Sequence, residues 1–126
     1  MGNGQVTGYV NSTVIDEFFH KVLLMDVYTK KGLAPAEAVA FLKQNPDAIA
    51  GFQLPFTVTQ EILHDCRLTM LDTSPVLDEA LAMSRRYGLL FSDAIHAACC
   101  SHYTIDHLAT NDRDFSRVDT VSVVSP

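Results

Sequence analysis

The sequence predicts an α/β fold with a parallel sheet and crossover helices. From residue 67 onward, short runs rich in β-branched residues alternate with helical patterns, and this order is typical of parallel strands joined by helices. The chain has 126 residues, of which 48% are hydrophobic, and this suits one globular domain. No internal repeat, low-complexity segment or linker divides it. Residues 1–126 are therefore expected to form a single domain.

The N-terminal half is predicted to contain one short strand followed by helices. Residues 6–10 have the β-branched and aromatic composition of a strand. Residues 11–13 offer N-cap oxygens to the first helix, which is apolar on both faces and is expected to be well buried. Asn45-Pro46 should interrupt the second helix, and residues 47–56 are ambiguous. The predicted helices cover residues 14–31, 35–44 and 57–66.

The C-terminal half is predicted to alternate strands and helices. Ser74-Pro75 is expected to open one long helix, and Ser92 is expected to cap the next. Residues 113–117 are expected to form a single helical turn. The predicted helices cover residues 74–87 and 93–102, and the predicted strands cover residues 68–71, 107–110 and 121–124.

The charge balance argues against general nucleic-acid binding. Nine Lys and Arg against fifteen Asp and Glu give a net charge of −6, whereas phosphate contacts need cationic side chains. Carboxylates that bind metal ions would contribute negative charge that the ions then neutralise. The acidic balance therefore weakens a nuclease interpretation but stays compatible with one.

The cysteines and the apolar segments indicate a cytoplasmic protein. The chain has three cysteines and no CxxC pair, which favours a reducing compartment over a disulfide framework. The N-terminus lacks the pattern of a signal peptide. The longest apolar stretches are far shorter than the roughly 20 residues of a membrane helix, so no membrane association is expected.

Two aspartates stand where an open α/β sheet binds ligands. Asp112 follows the predicted strand 107–110, and Asp93 begins a predicted helix. Ligands of such sheets bind outside the carboxyl ends of the strands, and a helix N-terminus favours an ionised carboxylate. Carboxylates that converge repel each other unless a cation lies between them, and Mg²⁺ and Mn²⁺ prefer oxygen ligands. A water molecule activated by such ions can attack a phosphodiester.

The motifs of this region resemble those of PIN-domain nucleases, including the VapC-type toxins. The matching runs are SDAIHAA, LATNDRDF and VSVVSP. The resemblance implies that Asp93 and Asp112 are catalytic metal ligands and that Asp114 fills a further acidic position. It also implies that Thr110 and Asn111 shape the same loop.

Upstream, the run STVIDEFFHKV resembles the helix of that family which carries a metal-facing glutamate. This match makes Glu17 the third ligand, since Asp16 points about 100° away on a helix. The resemblance covers nearly the whole chain. It implies a PIN-like fold with helices on both faces of the sheet.

One feature departs from the family pattern. PIN domains usually open with a strand that bears the first catalytic Asp, followed by a helix, and no Asp precedes Asp16 in this sequence. The N-terminal strand and its carboxylate are therefore expected to be missing. This departure leads us to expect that the start of the sequence lies downstream of the true one, or that the chain is a fragment or a degenerate member.

Simpler interpretations compete for each candidate residue. Asp93 alone would be a helix N-terminal carboxylate that contributes about 0.3–1 kcal/mol, and Asp112 alone would be a turn residue. Glu17 alone would be a solvated helix residue. Asp114 fits a turn residue, or a residue that contacts the ligands, better than a ligand itself.

Histidine and cysteine offer no competing site of comparable strength. His96 shares a helical face with Cys99 or Cys100, which permits a soft-metal site, but no set of four ligands for zinc is visible. Ser92 with His96 lacks the elbow motif and the third group of an activated nucleophile. Cys99 and Cys100 are therefore expected to be core or helix-contact residues.

The leading interpretation is a PIN-type endoribonuclease that requires Mg²⁺ or Mn²⁺. Single-stranded or looped RNA would expose its backbone to a carboxylate pocket, and Arg113 and Arg117 are candidates for phosphate contacts. The resemblance also implies an antitoxin partner over the site and a homodimer. One competing interpretation is a catalytically inactive PIN-like module that binds proteins. A purely helical interaction protein is disfavoured by the strands at 107–110 and 121–124.

Overall fold

The structure is a computed structural model that describes residues 7–65, 67–110 and 113–124. Its helices are α1 (Ser12–Lys31), α2 (Pro35–Gln44), α3 (Gln53–Leu63), α4 (Leu77–Tyr87) and α5 (Phe91–His102). Its strands are β1 (Gly8–Asn11), β2 (Leu68–Leu71), β3 (His107–Ala109) and β4 (Ser122–Val124). Segments of 3₁₀ helix cover Pro46–Gly51, Ser74–Val76 and Arg113–Arg117. No helix within these ranges has the length and apolar character needed to span a bilayer.

The strands pair two by two, β1 with β2 and β3 with β4. β3 and β4 run parallel, with Leu108 opposite Val123. The predicted parallel pairing is therefore present in the C-terminal part of the chain. The 3₁₀ segment Arg113–Arg117, called the Arg113–Arg117 turn below, lies between these two strands in the chain.

The described residues form two compact units. The first comprises residues 7–10 and 14–69, and the second comprises residues 11–13 and 70–124. Each unit has its own cluster of buried apolar side chains. The prediction of one domain over residues 1–126 stays a prediction.

The core of the first unit is built mainly from α1 and α2. Leu23 and Val27 lie four residues apart on α1, and Ala38 and Leu42 have the same spacing on α2, so each pair shares one helix face. Phe52, which lies between α2 and α3 in the sequence, belongs to the same cluster as these four buried side chains. The burial of one apolar stripe from each helix is what holds this unit together.

Part of α1 lies at the surface, contrary to the prediction that the helix is well buried. Met25 and Tyr28 are 63% and 64% exposed. On the buried face Asp26 is 5% exposed, and Lys30 pairs with its carboxylate at 3.3 Å. The spacing of four residues places the ammonium beside this carboxylate, whose charge would otherwise be costly to bury.

α5 supplies more of the core of the second unit than any other described element. Ala94, Ala97 and Ala98 are fully buried, and such small side chains let neighbouring elements pack closely against the helix. Met83 of α4 and Phe115 of the Arg113–Arg117 turn belong to the same cluster. The core thus ties this turn to the helices of the unit.

Two helices begin differently from the sequence prediction. α3 begins at Gln53, inside the ambiguous stretch, because Pro55 occupies its first turn, where a missing N–H costs no helical hydrogen bond. α5 begins at Phe91, with Leu90 as the N-cap. The predicted cap at Ser92 is therefore wrong, since the Leu90 carbonyl already accepts the first helical hydrogen bond.

Gly88→Ala is expected to destabilise the chain more than Gly32→Ala. Both glycines follow a helix at positive φ, +67° and +69°, which costs a residue with a Cβ about 1–2 kcal/mol. A Cβ at Gly88 would also lie 3.1 Å from Arg117 Nη1, whereas a Cβ at Gly32 would meet nothing within 4 Å. Urea unfolding of both variants measures the difference. Equal losses would contradict a close contact at Gly88.

Candidate functional site

Asp93 lies in the first turn of α5 and is half-buried. This turn begins directly after Leu90, whose extended backbone starts the helix. The unpaired N–H groups and the dipole of a helix N-terminus favour negative charge at this position. The structure therefore places Asp93 in the helical context that the sequence predicted.

The loop after β3 carries most of the other predicted site residues. The Thr110 N–H donates a hydrogen bond to the Val124 carbonyl at 2.9 Å, so the backbone is still paired with the last residue of β4 where the loop begins. Asn111 and Asp112 lie outside the described residues. The chain resumes with the Arg113–Arg117 turn, in which Asp114 is half-buried.

The Arg113–Arg117 turn packs against α5, the helix that carries Asp93. Phe115 is 3% exposed, and its ring centroid lies 6.5 Å from that of His96. His96 follows Asp93 by three residues on the same helix, so the two side chains project from neighbouring positions on one face. The second unit thus brings together the segments that hold Asp93 and Asp114.

Arg117 contacts protein groups, which changes its predicted role. Its Nη1 donates to the carbonyls of Tyr87 and Gly88 at 2.8 and 3.0 Å, and its Nη2 donates to Asp114 Oδ1. A guanidinium held by three acceptors is poorly suited to contact a phosphate. Arg113 is exposed and remains the candidate for that contact.

Glu17 lies on α1 in the first unit and is half-buried, whereas its neighbour Asp16 is exposed. The difference agrees with the prediction that adjacent helix residues point in different directions. Asp93 and Asp114 belong to the second unit. Glu17 as a third ligand stays a prediction.

One polar cluster escaped the sequence analysis. Asn11 is 4% exposed, and its Nδ2 lies 3.3 Å from His96 Nδ1 and donates to Cys99 Sγ at 3.7 Å. An amide nitrogen is a donor, so the Asn11 side chain can donate to both groups. The run Asn-Ser-Thr indicated an N-cap, and no local pattern connects residue 11 with a helix 85 positions away.

The Cys99 and Cys100 thiols are core groups, as the sequence predicted. They are 3% and 6% exposed. Burial raises the pKa of both thiols, in the case of Cys100 to about 11. A thiol that keeps its proton is a poor metal ligand, because the thiolate is the binding form. This argues against the soft-metal alternative.

The pH dependence of stability is expected to reflect the Cys100 thiol. It ionises near pH 9.0 when unfolded and near pH 11 when buried. Below about pH 9 both states keep the proton; between about pH 9 and 11 only the unfolded thiol loses it, so the free energy of unfolding falls. Over this pH range the thiol should lower the free energy of unfolding of the unaltered chain by roughly 2–3 kcal/mol, and Cys100→Ala should lack this contribution. Urea unfolding of both chains at several pH values measures it, and identical pH profiles would contradict the expectation.

No group of three or more His, Cys, Asp or Glu side chains within the described ranges is arranged to hold a metal ion. Two of the three predicted ligands, Glu17 and Asp93, belong to these ranges, and Asp112 does not. The chemistry of the predicted donors fits a hard divalent cation, since all three are carboxylates. The described residues alone therefore do not form the predicted metal site, and they do not contradict it.

Comparison with known proteins assigns the family. The chain matches the PIN domain family over residues 4–121. It therefore belongs to this family, which confirms the resemblance of its motifs and the predicted α/β class.

A 58-residue stretch, 45% of this chain, is 43% identical to Ribonuclease VapC6 of Methanocaldococcus jannaschii. The match spans 38% of that protein's length. No solved structure matches the chain.

Proposed function

We propose that this chain is the catalytic part of a metal-dependent endoribonuclease. The observation that carries the proposal is the position of Asp93, half-buried in the first turn of α5 in a PIN-family chain. The helix that holds it packs against the turn that follows Asp112 in the sequence. The partial identity with a protein named a ribonuclease supports RNA as the substrate.

Asp93, Asp112 and Glu17 would hold Mg²⁺ or Mn²⁺. Their oxygen donors suit these hard cations better than zinc, whose sites are built mostly from sulfur and nitrogen ligands. Bound there, the cation supplies Lewis-acid polarisation of the phosphate and lowers the pKa of water. Ionised carboxylates are needed to retain it, and the N-terminus of α5 favours that state at Asp93.

The remaining predicted residues would act on the substrate. Thr110 and Asn111 would shape the loop against the RNA backbone, and the exposed Arg113 would contact a phosphate. Asp114, paired with Arg117, would complete the acidic group. Single-stranded or looped RNA is the expected substrate because its backbone is accessible to such a loop.

The similarity to a VapC protein also supports a role like that of the toxin in a toxin–antitoxin pair. A small antitoxin would cover the acidic site, the chain would form a homodimer, and both would act in the cytoplasm. The exposed Leu90 and Phe91 at the start of α5, which are 77% and 42% exposed, suit a protein contact beside Asp93. The same two residues favour the second candidate, a module that binds protein without catalysis.

The test is Mn²⁺-dependent cleavage of a mixed RNA pool. The chain is expected to cleave RNA in the presence of Mn²⁺, and the cleavage is expected to stop when a chelator is added. The assay is repeated with an upstream-extended chain, because the family pattern has an additional carboxylate upstream of the segment that matches this chain. If both chains fold and neither cuts, the second candidate replaces the nuclease.

A further inference from the structure

Arg117 joins two elements of the second unit through one guanidinium group. Nη2 donates to Asp114 Oδ1 within the Arg113–Arg117 turn. Nη1 donates to the carbonyls of Tyr87 and Gly88, at 2.8 and 3.0 Å, where α4 ends. The last carbonyls of a helix lack helical partners and carry the negative end of its dipole, so a cation is well placed there. We name these contacts the Arg117 clasp.

Gly88 leaves the space that the clasp requires. It adopts φ +67°, the left-handed conformation that ends α4. A Cβ at this position would lie 3.1 Å from Arg117 Nη1. A glycine is therefore favoured here for two separate reasons, the backbone conformation and the approach of the guanidinium.

A second contact supports the same junction. Arg86 lies 3.7 Å from the Asp119 carboxylate. The Tyr87 hydroxyl donates a hydrogen bond to Asp119, which lowers the pKa of that carboxyl. The end of α4 is thus bound both to the Arg113–Arg117 turn and to the residues that follow it.

We propose that Arg117 is a positioning residue, which fixes the loop of the acidic site by clasping the Arg113–Arg117 turn to the end of α4. This inference rests on the proposed function. The first residue of the turn, Arg113, directly follows Asp112 in the chain, and Asp114 is itself held by the clasp. A turn fixed at its far end keeps the Asp114 carboxylate in place, and partners that orient acidic side chains at a metal site typically change metal affinity 10- to 100-fold.

The test is the affinity for Mn²⁺, measured by electron paramagnetic resonance of the free ion. Arg117→Met is expected to weaken binding about 10-fold or more. The Mn²⁺ affinity of Arg117→Lys should lie between those of Arg117→Met and the unaltered chain. The lysine ammonium keeps the charge but cannot reproduce the planar guanidinium with its several donors. Arg85→Met, an exposed arginine of α4, is the matched control and should bind Mn²⁺ like the unaltered chain.

Gly88→Ala provides an independent variant, since it should open the same clasp. It is expected to weaken Mn²⁺ binding, and the double variant with Arg117→Met should bind no more weakly than the weaker single variant. All measurements are made well below the unfolding temperature of each variant, with the fold checked by circular dichroism. A purely structural clasp would lower the unfolding midpoint and leave the Mn²⁺ affinity unchanged.

Three outcomes decide between the hypotheses. Weakened binding in Arg117→Met with a non-additive double variant supports the positioning role. Folded Arg117→Met that binds Mn²⁺ as tightly as the unaltered chain, or losses that multiply in the double variant, overturns it and leaves the proposed function in place. An unaltered chain that binds no Mn²⁺ overturns the proposed function, and the positioning role with it.

Discussion

Asp93→Asn and Asp112→Asn are each expected to reduce Mn²⁺-dependent RNA cleavage by roughly 100-fold or more, because losing one charged ligand removes several kcal/mol of transition-state stabilisation. The substitution replaces one carboxylate oxygen by nitrogen at nearly constant volume, so the fold should persist. Initial rates on a defined single-stranded RNA, with circular dichroism of each variant, measure the effect.

Asp78→Asn is the matched control for Asp93→Asn. Asp78 is also an aspartate in the first turn of a helix of the second unit, and it is exposed. Both substitutions remove a favourable charge–dipole interaction of about 0.3–1 kcal/mol, so similar small losses of stability are expected. Only Asp93→Asn should abolish cleavage. If Asp93→Asn cuts RNA as fast as Asp78→Asn, Asp93 is a helix N-terminal carboxylate and nothing more.

The elements that the sequence predicted well are those specified by neighbouring residues. α2 runs from Pro35 to Gln44, the predicted bounds, because a proline at its first position and Asn45-Pro46 after its end mark both boundaries locally. β2 likewise covers the predicted residues 68–71. Family motifs were informative for the same reason, since each is a short run of adjacent residues.

The features that the sequence did not predict depend on contacts between distant residues. Arg117 was a candidate for a phosphate contact, whereas its contacts with Tyr87 and Gly88 join positions 30 and 29 residues apart. Asn11 was one of three candidates for the helix cap, and the contact of its buried amide nitrogen with His96, 85 residues away, was not predicted. No periodicity or spacing rule encodes such pairs, because they depend on how finished elements pack.

The burial of α1 shows a related limit. Apolar residues on two faces predicted a buried helix, but a sequence pattern does not reveal whether a second partner exists for the second face. Met25 and Tyr28 lie on the exposed side in the described structure. An apolar stripe is therefore a requirement for burial and not a measure of it.

Phe115→Ala is expected to lower the free energy of unfolding by about 3–5 kcal/mol, the usual cost of deleting a large buried ring. Phe115 is 3% exposed and packs among the buried residues of the second unit. The ring has no local substitute, since it comes from a short 3₁₀ segment that contributes this one buried side chain. Loss of the ring should leave a cavity between that segment and α5.

Phe91→Ala is the control, because Phe91 is the same residue type at 42% exposure. Its truncation should cost less than about 1 kcal/mol, since little surface is removed from the core. Urea unfolding of the two variants separates a buried ring from an exposed one. If Phe115→Ala costs no more than Phe91→Ala, the Arg113–Arg117 turn is not anchored in the core.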